Sequence, residues 1–156
     1  MGAVPLTSLR APVASETGAA RPRPTTEVVT VTALTWAAGL EHALVAVHRA
    51  RCAGHDVRWR IHGDGPERER VVFTIHDLGL DEVVTLGAPL GGGDLYLHPR
   101  LDDEVGDLAH WLAVGGRAVA TDGRRVRELA VRHPCRLWRV PRRDPAAMAR
   151  TLVEAG

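Results

Sequence analysis

Hydrophobic and polar positions along this chain change their period in a regular order. Val57, Trp59 and Ile61 alternate with Arg58, Arg60 and His62, and a period of two predicts a strand. Gly63-Asp64-Gly65-Pro66 follows, a turn with no side-chain bulk at two positions and a fixed φ at the last. Pro66 suits the first turn of a helix, where a missing N–H costs nothing. Glu67 and Glu69 then bring negative charge to the positive end of the helix dipole. Val71, Val72, Ile75 and Leu78 make one apolar stripe, and Gly79 is placed to close the helix in a left-handed cap. Strand, glycine turn, helix and cap are half of a βαβ unit.

The same rhythm runs through the chain. Val28, Val29, Val31 and Leu34 predict a first, buried strand starting at Glu27, and Leu40, Leu44 and Val47 a helix ending near Arg51. Val83, Val84 and Leu86 predict a third strand, and Asp94-Leu95-Tyr96-Leu97 a fourth after the run Gly91-Gly92-Gly93. Leu108, Leu112 and Ala113 fall on one helix, Ala118-Val119-Ala120 on a short strand, and Val126, Leu129 and Ala130 on the next helix. Leu137, Trp138 and Val140 predict a sixth strand, and Asp144, as N-cap to Pro145, a last helix carrying Met148 and Leu152. Alternating strands and helices imply a parallel sheet covered on both faces. The expected fold is a single Rossmann-like α/β domain with six strands in the order 3-2-1-4-5-6, because both βαβ halves cross over right-handedly. Residues 1–26, with four prolines and no hydrophobic period, are expected to be a disordered tail, and 27–156 the domain.

Composition adds less than it promises. The 156 residues contain no Lys, Asn or Gln, so all 20 basic residues are Arg. That bias is the mark of GC-rich coding and implies no nucleic-acid partner. The net charge of +1 is unevenly spread, with 10 Arg against 15 acids in residues 1–116 and 10 Arg against 4 acids in 117–156. Cys52 and Cys135 are isolated and lack metal-ligand spacing, which fits reduced thiols in the cytoplasm. No apolar run reaches the ~20 residues of an integral membrane segment. The only serines, Ser8 and Ser15, lie in the tail, so no Ser–His–Asp set is arguable.

In this order the segments resemble the C-terminal, nucleotide-sugar-binding half of the GT-B "group 1" retaining glycosyltransferases. VVTVTALTWAAGLEHALVA resembles that family's opening strand, loop and helix, and RWRIHGDGPERERVVFTIHDLGLDEVVTLG its GDGP segment through to the third strand. LYLHPRLDDEVG resembles the strand that ends in Pro-Ser and enters an E-G-F-G loop; GRAVATDGRRVREL resembles a threonine-aspartate turn; LWRVPRRDPAAMARTL resembles the segment before the final helix. The resemblance implies a nucleotide-sugar donor, as substrate, and no other cofactor.

The same resemblance implies where ligand chemistry would sit. Asp103 or Glu104 matches a family glutamate near the reacting sugar, and a second family glutamate falls on His110 or Trp111. The cations that neutralise the donor diphosphate are replaced by Ala33 and Ala38. The candidate set is therefore Asp103 and Glu104 as catalytic carboxylates, with Gly63, Asp64, Gly65, Arg124 and Arg125 at the nucleotide sugar. Arg124 and Arg125 are candidates because a helix N-terminus there adds its own dipole to theirs. The residue types also fit plainer roles: a strand–helix turn for Gly63–Gly65, and charges favourable to the helix dipole for Asp103 and Glu104. Between Gly87 and Asp94 the family has a short helix that this chain lacks, and no stretch of these 156 residues resembles the family's acceptor-binding domain. Two readings follow: a glycosyltransferase-like domain that is inactive without a partner domain, and a non-catalytic binding or regulatory relic or fragment. An open carboxyl-end face with Trp36, Leu90 and the glycine run predicts a homo-oligomer or a separate acceptor-domain protein as partner.

Overall fold

The computed structural model describes residues 24–87 and 91–156. The expected disordered tail therefore lies outside the described residues except at its last three positions, and so does Leu90. Six strands form one sheet: β1 (Thr26–Val31), β2 (Val57–His62), β3 (Val84–Leu86), β4 (Leu95–His98), β5 (Ala118–Thr121) and β6 (Leu137–Val140). Every pairing is parallel and the spatial order is β3-β2-β1-β4-β5-β6, the order the alternation of elements predicts. β1 starts one residue before Glu27. Just ahead of it, Thr25 donates through its hydroxyl to Asp56 beside the start of β2, and that bond, with Arg51, holds the Asp56 carboxyl below the usual range.

Five helices cover the sheet: α1 (Leu40–Cys52), α2 (Arg68–Asp77), α3 (Gly106–Ala113), α4 (Arg124–Arg132) and α5 (Pro145–Ala155). α1 and α5 bury their apolar stripes against one face, with Trp59, Ile61, Val28 and Leu97 beneath them. α2 buries Val71 and Ile75 there with Leu78 half-buried, but Val72 of its expected stripe is exposed, because it lies a full turn-step of about 100° round the helix from Val71. α3 and α4 cover the other face over Val29, Tyr96, Ala118 and Ala120. The alternation read along β2 holds: Val57, Trp59 and Ile61 are buried, while Arg58 and His62 are exposed. Burying side chains of this size stabilises by about 1.5–3 kcal/mol each. The Trp59 indole is satisfied inside the core by donating to the Thr30 hydroxyl at 2.9 Å, and Thr30 donates in turn to the Leu97 carbonyl.

Two helix ends behave as the sequence predicts. Asp144 accepts from the Ala147 N–H at 2.9 Å, with Pro145 in the first turn of α5. Gly79 closes α2 at φ +70°, and the following Leu80 N–H reaches back to the Ile75 carbonyl. The covering of the second face is thinner at the β2–β3 side than alternation alone implies. There the glycine run lies over Arg60, whose guanidinium donates to the Gly92 carbonyl. A Cβ on Gly93 would come within 2.8 Å of the Val29 side chain. The run therefore approaches the sheet more closely than a loop with side chains could. No helix among the described residues is long and apolar enough to cross a membrane.

Candidate functional site

The order of the sheet reverses between β1 and β4. Loops leaving the carboxyl ends of these two strands diverge to opposite sides, and in open α/β sheets ligands bind in the crevice that results. The β1–α1 loop is held from both directions. On one side Thr32 and Leu34 donate their N–H groups to the carbonyls of His62 and Asp64, each at 3.0 Å. On the other, Leu101 donates to the Ala37 carbonyl at 2.8 Å. Gly39 has φ +69°, and a Cβ there would lie 2.0 Å from the Pro99 carbonyl oxygen.

The strongest polar constellation in this crevice is one that reading the sequence missed. Arg100 leaves the end of β4 and crosses to β1. Its Nε and Nη2 donate to the two carboxylate oxygens of Asp102, both at 2.7 Å, and Nη1 donates to the Thr32 hydroxyl at 2.8 Å. This is the two-pronged geometry that makes guanidinium–carboxylate pairs strong. The Arg100 side chain is only 15% exposed and Asp102 41%. Their pairing pushes the Arg100 pKa up and holds the Asp102 carboxyl below its usual range.

His98, the last residue of β4, is 4% exposed. Burial first, and the Arg100 charge second, push its pKa down from 6.5 to about 4. Its ring stacks near Tyr96, with centroids 6.4 Å apart, while Nε2 is enclosed without a hydrogen-bond partner among the described residues. Tyr96 exchanges hydrogen bonds with the Val31 backbone, and burial pushes its pKa up to about 12. Both rings are neutral near pH 7, so Arg100 and Asp102 carry the charge at the centre of the crevice. The available signal was the pair Pro99-Arg100 where the family has Pro-Ser. An Arg in a loop ordinarily reads as a solvated charge.

The residues singled out from the sequence fall into three places. Gly63, Asp64 and Gly65 lie against the β1–α1 loop. A Cβ on Gly63 would sit 1.8 Å from the Thr32 carbonyl oxygen, and one on Gly65 would sit 2.5 Å from that of Leu34. The Asp64 carboxylate accepts from the Gly65 N–H at 2.9 Å. Asp103, Arg124 and Arg125 come together at the amino end of α4, where Asp103 accepts from the Arg125 N–H at 3.4 Å. The side chains of Asp103, Asp122, Arg124, Arg127 and Arg142 line a shallow cavity there of about 620 Å³. The Arg124 side chain is 81% exposed, 4.0 Å from Glu128. Burial alone would raise the Asp122 pKa, but Arg139 and Arg127 outweigh it and hold the carboxyl low. Glu104 is not among these residues: just ahead of α3 its carboxylate accepts from the Gly106 N–H at 3.0 Å, and its backbone hydrogen-bonds His98. His110 is exposed on α3, while Trp111 packs on Tyr96 and donates to the Arg117 carbonyl at 2.7 Å.

Beside the crevice, Trp36, Leu40, Leu44, Val71, Leu101 and Arg143 line a cleft of about 320 Å³. Trp36 is 73% exposed at its rim.

The two alanines at the expected cation positions are not equivalent. Ala33 is exposed, whereas Ala38 is fully buried. Ala33→Arg should therefore change stability by no more than about 0.5 kcal/mol. Ala38→Lys should cost about 1–3 kcal/mol by overpacking, moderated by the reach of its stem to water. Urea unfolding of the two variants checks this, and equal stabilities would contradict the burial of position 38.

With this geometry in view, the comparisons with known proteins are consistent. No protein-family model matches the chain. It is 30% identical over 144 residues to the glycosyltransferase WcaL of Salmonella typhimurium, named for colanic acid biosynthesis. That match takes in 82% of this chain and 35% of WcaL, so the chain spans about a third of its relative. The C-terminal domain of a group 1 family glycosyl transferase from Francisella tularensis matches over 84% of this chain and 75% of its own, with a TM-score of 0.62 and 11% identity. The fold is that of a GT-B half-domain. The catalytic domain of a Helicobacter pylori cholesterol-α-glucosyltransferase matches with a TM-score of 0.69 and 15% identity, over 83% of this chain and 85% of that one. S. aureus TarM, in a structure containing UDP, matches with a TM-score of 0.75 and 12% identity, over 83% of this chain and 28% of that one.

Proposed function

We propose that this GT-B half-domain is the donor side of a cytoplasmic glycosyltransferase assembly. It holds the nucleoside diphosphate of a nucleotide sugar at the crevice between β1 and β4, and a further domain, whether elsewhere in the same protein, in another polypeptide or in a second copy, supplies the acceptor side. The observation that carries the reading is the crevice, formed at the reversal of strand order and carrying a partly buried guanidinium. It stands in a fold shared with enzymes named as glycosyltransferases. Transfer by the half-domain alone is not expected, because a single domain leaves the reacting sugar open to water. No further cofactor enters the reading. The exposed Trp36 beside the crevice supports a partner or a second copy over that face.

A second reading, a binding or regulatory module that has lost the donor, is favoured by Ala33 and Ala38 alone. Calorimetric titration with UDP-, GDP- and ADP-sugars separates the two. The expected result is weak binding of one of them, strengthened by Ala33→Arg, with neither hydrolysis nor transfer. Absence of heat with all three at millimolar concentration, in both the native chain and Ala33→Arg, would leave the relic reading standing.

A further inference from the structure

We infer that the crevice carries its own internal competitor, with Asp102 occupying the guanidinium of Arg100 that an anionic ligand would take. The inference rests on the donor-side reading for the identity of the ligand, but its chemistry is that of a phosphate or diphosphate group. A carboxylate held by Nε and Nη2 at 2.7 Å on both oxygens presents the same pair of acceptors as two phosphate oxygens. Arg100 is tethered from its other side by the Thr32 hydroxyl. The guanidinium therefore stays at the end of β1 when Asp102 moves away.

Asp102 lies in an exposed stretch that forms neither helix nor strand, and besides Arg100 its carboxylate accepts a 3.3 Å bond from the Glu104 N–H. Of the nearby ionisable groups, His98 is buried and neutral near pH 7, while Glu104, held by the Gly106 N–H, adds a further negative charge near Arg100 that is secondary to the direct Asp102 pair. In the free domain Arg100 and Asp102 cancel. A ligand must displace the carboxylate before it meets a positive site, which weakens anion binding without abolishing it. The aspartate thus does for Arg100 what a bound anion would do, and keeps a partly buried cation paired when the crevice is empty.

The experiment compares native chain, Asp102→Asn, Asp102→Ser and the double variants Asp102→Asn with Arg100→Lys or Arg100→Ala. Each is titrated calorimetrically with inorganic pyrophosphate, UDP, GDP and ADP, with circular dichroism melts to show that each is folded. Asn keeps an oxygen for the Glu104 N–H and loses the charge; Ser is the second route should Asn fail to fold. The expected result is about tenfold or greater tightening toward pyrophosphate and one of the nucleotides in the charge-removed variant. Arg100→Ala should abolish the gain, and Arg100→Lys, which lacks the fork, should recover only part of it. A charge-removed variant that binds no more tightly than the native chain overturns the inference, as does a gain that survives Arg100→Ala. The donor-side reading is tested separately. Native binding of a nucleotide sugar with no effect of Asp102→Asn would keep that reading and sink the competitor. An Arg100-dependent gain for pyrophosphate alone, with no nucleotide bound, would keep the competitor and sink the reading.

Discussion

Gly63→Ala should cost the fold about 4 kcal/mol or more, a large share of the stability of a domain this size. Gly63 ends β2 with φ +145°, and an added Cβ would lie 1.8 Å from the Thr32 carbonyl oxygen and 2.9 Å from its carbon. No rotamer relieves a clash between a Cβ and a backbone carbonyl, so the loops after β1 and β2 must separate. That separation strains or breaks the Thr32–His62 and Leu34–Asp64 backbone bonds, each worth about 0.5–1.5 kcal/mol. The backbone conformation adds about 1–3 kcal/mol for any residue with a Cβ. Gly79 supplies the control. It also has positive φ, +70°, but no atom lies within 4 Å of its would-be Cβ, so Gly79→Ala should cost only about 1–2 kcal/mol. Urea unfolding of the two alanine variants measures the difference. Equal losses would show that conformation alone governs both glycines. Because Thr32 also holds Arg100, a Gly63 variant that remains folded should bind anions poorly even where its melting point is tolerable.

The periodicities that carried the fold were local and therefore legible. The β2 alternation, the cap at Gly79 and the Asp144-Pro145 helix start each depend on residues within one turn or strand, and each is realised in the structure. The strand order followed from alternation and handedness. The site was less legible because its determinants are not neighbours in the chain. A glycine required for φ, as at Gly79, and one required for close approach of a second loop, as at Gly63, look alike in a sequence. Only the partner, Thr32, distinguishes them, and it lies in another βα loop. Ala38 read as a lost cation at the crevice, but its burial depends on packing from surrounding elements. The tendency of Asp103 and Glu104 to serve helix amino ends was legible from their position. Which helix each would serve was not, since Asp103 reaches across to α4 while Glu104 stays on α3. Arg100 and His98 were least visible, because their burial follows from the crossing of loops at the β1–β4 boundary.

Between pH 7 and pH 4 the domain should lose on the order of 3 kcal/mol through His98 alone. Burial of the ring, reinforced by Arg100, lowers its pKa to about 4 in the folded protein, against 6.5 when unfolded. Asp102 and Glu104 pull the other way and do not prevail, and Tyr96, stacked nearby, is uncharged in this range. In that window the unfolded chain takes up a proton that the folded chain resists, so acid favours unfolding. The contribution is fully present above pH 6.5, falls as pH drops toward 4, and changes no further below it. Its size follows from about 1.4 kcal/mol per tenfold difference in proton affinity. The lowered carboxyls of Asp56, Asp102 and Asp122 act in a different range. Their contribution is present above the ordinary carboxylate pKa and is lost as pH falls through their lower folded values. His98→Gln separates the two effects, because it removes the titrating ring and leaves those carboxylates in place. Urea unfolding at intervals from pH 8 to pH 4 should show the native chain losing about one proton's worth of slope relative to the variant, confined to pH 4–6.5. Parallel curves would mean that the ring finds water or an acceptor when protonated, and that the end of β4 opens more readily than its burial implies.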